Sequence, residues 1–236
     1  MKLHIKRHLE QNIHLALVIG LVILLSSFVA SIVGNASPAT EFQQTLNSGT
    51  LTTDIRDASR NTVASPQVSM SVATFSFDCQ SGVSSSTGTL GSNSQRLYVD
   101  NPSNADNGWT LTVAPTSGST TTWTDGTKKI DLNDGTNSGC SDGADTDTAS
   151  GQLTIDPSAG TITSDCTTCS TSNISKGSIA SLSEGVTNVI TLLNAAASSD
   201  NVGRWYLTGA DVKQTIPAEQ EAGNYTLNMT VTVTAQ

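Results

Sequence analysis

The stretch YTLNMTVTVT at residues 225–234 decides how the chain is read. Tyr225, Leu227, Met229, Val231 and Val233 alternate with Thr226, Asn228, Thr230, Thr232 and Thr234. A period of two places the first set on one side of a pleated strand and the second on the other, so an apolar face packs on a core while threonines meet water or a neighbour. The same alternation runs through Trp109, Leu111 and Val113 of WTLTV (109–113), and RLYV (96–99) and the region Leu51–Ile55 supply further short strands. In VSMSVATFSF (68–77) the apolar side carries Val68, Met70 and Val72 and then shifts to Phe75 and Phe77, which predicts a bulge. A second layer buries such one-sided strands economically, so the expected fold is all-β: an antiparallel β-sandwich with room for one short helix or helical turn. That helix would lie where Ile179, Leu182, Val186, Val189, Ile190 and Leu193 share a helical face, in competition with a strand through VTNVITLL (186–193).

Composition agrees with strands joined by polar turns. Of 236 residues, 66 are Ser or Thr and 19 are Gly, whereas only 13% are charged and 4% aromatic. The formal charge of -9 leaves no basic patch for phosphates, which excludes nucleic acid as a partner. From Glu41 onward there are 19 acids, 8 bases and no histidine, so neither a Ser-His-Asp nor a Cys-His arrangement can be assembled there. The acids cluster in one Gly-rich stretch that lacks an alternating frame to hold two carboxyls at a fixed separation, and no catalytic residue is assigned.

Lys2, Lys6 and Arg7 precede LALVIGLVILL (15–25), whose apolar character continues to Val33. A basic tip before such a run is an export signal, and 19 residues from Leu15 to Val33 also suffice to span a bilayer. Residues 1–36 are therefore a signal peptide or an N-terminal membrane anchor helix, and the rest is placed outside the cytoplasmic membrane at the bacterial cell surface. Residues 37–67 form a polar linker or a donor strand. The domain proper is 68–236, with an acidic Gly/Asp-rich insertion at 114–165. Cys79, Cys140, Cys166 and Cys169 suit that compartment as structural disulfides, with the pairing left open among three arrangements.

Between Asp131 and Asp165 lie seven acids and no base. Asp131, Asn133, Asp134, Asp142, Asp145 and Asp147 offer hard oxygens among glycines, the chemistry of a calcium loop, although the glutamate that closes an EF-hand is missing. A solvated acidic loop pinned by Cys140 is the competing account.

VTNVITLLNAAASSDNVGRWYL (186–207), followed by a strand and then IPAEQEAGNYTLNMTVTV (216–233), resembles the closing portion of WxL-domain cell-wall proteins of bacteria. Trp109-Thr110-Leu111 matches the first Trp-x-Leu motif, while Val231-Thr232-Val233 stands where the second is expected. The resemblance implies a β-rich domain attached noncovalently to peptidoglycan or another envelope glycan, within assemblies of surface proteins. Trp109 and Leu111, with the more exposed Trp123, would then contact the ligand, because an indole can stack on a sugar ring. In the alternative Trp109 points into the sandwich. The function expected is that of a nonenzymatic envelope protein bound to the wall or to other surface proteins. The runner-up is a self-associating subunit of a surface filament or layer, assembled by β-strand addition at a sheet edge.

Overall fold

A computed structural model describes residues 44, 46–103, 107–143, 148–197 and 202–236. The expected export or anchor helix lies outside the described residues, among which no helix is long and apolar enough to cross a membrane. The chain divides after Leu46, and Asn47–Gln236 forms one compact unit.

That unit is a predominantly antiparallel β-fold. Its strands are β1 (Thr52–Arg56), β2 (Ser86–Leu90), β3 (Arg96–Asn101), β4 (Trp109–Pro115), β5 (Trp123–Thr124), β6 (Lys129–Ile130) and β7 (Leu153–Asp156), followed by β8 (Thr161–Ser164), β9 (Ile174–Lys176), β10 (Ala180–Ser181), β11 (Ile190–Ala195), β12 (Gly203–Thr208), β13 (Ala210–Gln214) and β14 (Met229–Ala235). One sheet has the order β1-β3-β12-β8, a second β10-β7-β13-β2, a third β14-β4-β11-β9, and β5 pairs with β6 in a ribbon.

The first two sheets are continuous in order. β2 runs into β3, β7 into β8 and β12 into β13, and all three break at one level: Gly91–Gln95, Pro157–Gly160 and Gly209. Gly91 and Gly209 both have φ +81°, a left-handed conformation that side chains resist, and the Gly209 N–H donates to the Gly91 carbonyl at 2.7 Å across the break. The bend lets interior residues of both sheets, among them Leu97, Val99, Leu153, Ile155, Trp205 and Leu207, join one core with Trp109, Leu111 and Leu193 of the third.

Strands whose alternation is clear in the sequence form where expected in β1, β3 and β4, while β14 starts only at Met229, so 225–228 of the terminal alternating stretch precede it outside the strand. Three expectations need correction. Residues 68–77 form no strand, and Val72, Phe75 and Phe77 are 93%, 56% and 76% exposed. The bulge falls instead in β11, where the register shifts between Thr191 and Leu193 against β4 and Leu192 and Leu193 both become buried. That shift also disposes of the helical face at 179–193: Ile179 and Val186 are exposed, and the only helices among the described residues are four short 3-10 turns. The 114–165 region is no simple insertion, since it supplies β5 to β8 and buries Ile130, Leu132, Leu153 and Ile155. Its strand segments escaped notice because each is only two to four residues long.

The cysteines pair Cys79–Cys140 and Cys166–Cys169. The first joins residues 61 apart, the second residues 3 apart. On the chain-entropy account, replacing Cys79 and Cys140 by Ala lowers unfolding stability by about 4 kcal/mol, against about 1.5 kcal/mol for the other pair. Denaturant titration of the two double variants under nonreducing conditions checks the order.

Candidate functional site

β14 is an edge strand of seven residues, the longest edge in the fold, and its only ladder partner among the described residues is β4. The register sets Val233 opposite Leu111 and Ala235 opposite Trp109, so the Trp-Thr-Leu segment pairs with Val233-Thr234-Ala235, and of Val231-Thr232-Val233 only Val233 faces it. β14 contains no Lys or Pro, residues that ordinarily blunt an edge. Other edges are covered or short. β2 is overlaid by residues 69–71, where the Ser71 N–H donates to the Thr87 carbonyl at 2.6 Å; β1 carries Asp54 and Arg56, and its Ile55 carbonyl accepts from the Val63 N–H. β1 also approaches β14 without pairing with it.

The apolar side of β14 is only half-buried, because a groove of ≈ 450 Å³ opens beside it. Leu227, Met229 and Val231 line it together with Val68, Met70 and Trp123. Alternation in the sequence marks the apolar side of β14 but carries no sign that a groove opens beside it.

The other expected site residues scatter. Trp109 and Leu111 are 0% exposed and face the core, so neither is available to stack on a sugar. Trp123 is half-buried rather than exposed, and its indole Nε1 donates to Gln214 Oε1 at 2.8 Å. Asp131, Asn133 and Asp134 are buried, which a solvated loop would not require, while Asp142 is exposed. Asp145 and Asp147 lie outside the described residues.

A second surface was missed. All four arginines beyond Arg7 (Arg56, Arg60, Arg96 and Arg204) meet on the outward face of the β1-β3-β12 sheet around Tyr98 and Tyr206. Arg56 and Arg204 both bind Asp100, at 2.8 and 2.6 Å, Arg60 grips both oxygens of Asp165, and the Arg96 guanidinium lies 4.6 Å from the Tyr206 ring centre. Four aspartates, Asp54, Asp57, Asp100 and Asp165, accompany these cations, so the patch is nearly neutral and reads as a stabilising lattice. Burial pushes the Asp54 carboxyl up, but hydrogen bonds from Thr62, Arg56 and the Ile55 N–H outweigh this and hold it below the usual carboxylate range. The hydrogen bond from Arg60 does the same for Asp165. Cross-strand spacing of single arginines gives no periodic signal, so only the pairing of strands reveals the cluster.

No family model, no curated protein and no solved structure matches this chain.

The depressed carboxyls fix a pH dependence. A group whose folded pKa lies below its unfolded value near 3.9 contributes stability above that value and loses it as pH falls through the folded one. Chemical denaturation at stepped pH should therefore show stability declining below about pH 4. Arg60→Ala should flatten that decline while changing stability little at neutral pH, because the arginine is exposed and the pair is screened by solvent.

Proposed function

We infer that this chain is a nonenzymatic protein of the bacterial cell envelope, a two-layer β-sandwich carried outward by its apolar N-terminus. It works as a subunit that joins a second copy of itself by β-strand addition. The observation that carries this reading is the pairing of an unblunted seven-residue edge, β14, with a strand-patterned segment that has no ladder of its own, residues 72–77. Phe75 and Phe77 of that segment lie edge to face 5.2 Å apart and exposed, where apolar surface is costly unless something covers it. Six extended residues span about 20 Å, comparable to β14, and side chains alternating along an added strand would reach the groove below it. The linker at 37–67 is a weaker donor, since Thr52–Arg56 is already paired in the chain's own sheet as β1. Donation from one surface to a different one is heterologous, and repeated it builds a filament or layer rather than a closed dimer. Wall attachment through Trp109 and Leu111 finds less support, because both side chains are interior.

Electron microscopy and sedimentation of the purified full chain test this reading. Regular polymers are expected. Thr230→Lys with Thr232→Lys on β14, or Phe75→Asp with Phe77→Asp on the donor, should each reduce assembly at least about tenfold without lowering the melting temperature, because all four positions are exposed. A monodisperse monomer that cosediments with purified peptidoglycan would replace self-assembly with direct wall binding.

A further inference from the structure

The two disulfides differ in how the fold holds them. Cys79 and Cys140 are both half-buried and their bond closes a span of 61 residues. Cys166 and Cys169 are only 3 apart, with Cys166 exposed and Cys169 half-buried against the core. A bond that stabilises a fold is stabilised by that fold to the same extent, so the short loop gives its disulfide less protection than the long one.

The sulfurs of the short loop are also unequal. Cys166, Thr167 and Thr168 are all exposed, so a thiolate can reach Cys166 Sγ from solvent. Cys169 Sγ instead accepts the Arg204 N–H at 3.3 Å, at the start of β12. Negative charge arriving on that sulfur meets a donor already in place, and exchange is favoured when the attacked sulfur is open and the leaving one is stabilised. The sequence carries no sign of this, because Arg204 lies 35 residues beyond Cys169.

We propose that Cys166–Cys169 is a thiol-exchange site for a low-molecular-weight thiol, with attack at Cys166 and departure of Cys169. The incoming thiolate forms a bond to Cys166 Sγ as the Cys166–Cys169 bond breaks, and the electron pair leaves on Cys169 Sγ, which takes up a proton from water. A second thiolate then displaces Cys166 from the mixed disulfide. Two thiols are oxidised to one disulfide and two cysteines are reduced, so electrons and protons balance. Opening leaves β12 held by its ladders to β3 and β8, and the sheet stays intact. This chemistry goes beyond the proposed assembly role and does not depend on it.

The site has its own reporter. Gly203 packs against both sulfurs and the Trp205 ring: a Cβ there would stand 3.1 Å from Cys166 Sγ and 3.1 Å from the ring edge. Trp205 Nε1 donates to the Ser170 carbonyl, one residue after Cys169. A disulfide close to an indole quenches its emission, so opening brightens Trp205.

The test adds reduced glutathione to the full chain in mild detergent, with acid quenching, alkylation and peptide mass mapping at intervals. Cys166–Cys169 should open at least about tenfold faster than Cys79–Cys140, with a rise in tryptophan emission that reverses when oxidised glutathione is supplied. Two single variants read the direction of attack, since Cys169→Ser and Cys166→Ser lose the same bond. With oxidised glutathione, Cys169→Ser should gain one glutathione on Cys166 at least about tenfold faster than Cys166→Ser gains one on Cys169. Opening of both disulfides at one rate, equal rates in the two variants, or reduction of Cys166–Cys169 only above the melting transition would each overturn the proposal.

Discussion

Trp109 and Trp205 meet at the centre of the fold with ring centres 5.8 Å apart, and neither is exposed. Each sits on an interior strand, Trp109 on β4 between β14 and β11, Trp205 on β12 between β3 and β8. They are the two largest fully buried side chains in a chain with 4% aromatic residues, and their contact joins the sheets that carry them. The surroundings are fitted to this contact. Trp205 Nε1 donates to the Ser170 carbonyl, and Gly203 lies against Cys169, where a Cβ would come 2.3 Å from Sγ. The Arg204 N–H also donates to Cys169 Sγ, so the Cys166–Cys169 loop is held against the start of β12.

With the sheets joined at that point, what varies is how completely each strand is covered. The bend at Gly91, Gly209 and Pro157–Gly160 lets one long sheet wrap the core, so its interior strands bury residues on both sides of the break. β14 lies at the margin of its own sheet, β14-β4-β11-β9, and lines the groove there. Open edge and groove occur together, since Met229 and Val231 of β14 line the groove.

Polar chemistry is distributed with similar economy. The arginines balance aspartates across β1, β3 and β12, where neighbouring strands bring residues far apart in sequence within hydrogen-bond reach. Asp134 joins no ion pair among the described residues, and Asp131 and Asp134 are the buried carboxylates of this acidic chain among those residues.

The sequence by itself determined the strand chemistry: the two faces of YTLNMTVTVT, the inward alternation of WTLTV, the absence of histidine beyond residue 40 and the apolar N-terminal run are all local or compositional. A period of two needs no knowledge of partners. Which strands pair, where the bulge in β11 falls, and that strand-patterned 72–77 is left without a ladder were decided only by the tertiary structure. The same holds for β7, which at four residues carries too little pattern to be found alone yet lies inside a sheet. Burial belongs to that second group as well. Asp134 reads as one more acid in a polar stretch until the chain folds over it, because desolvation is set by residues such as Gly151 and Glu184 that lie far along the sequence.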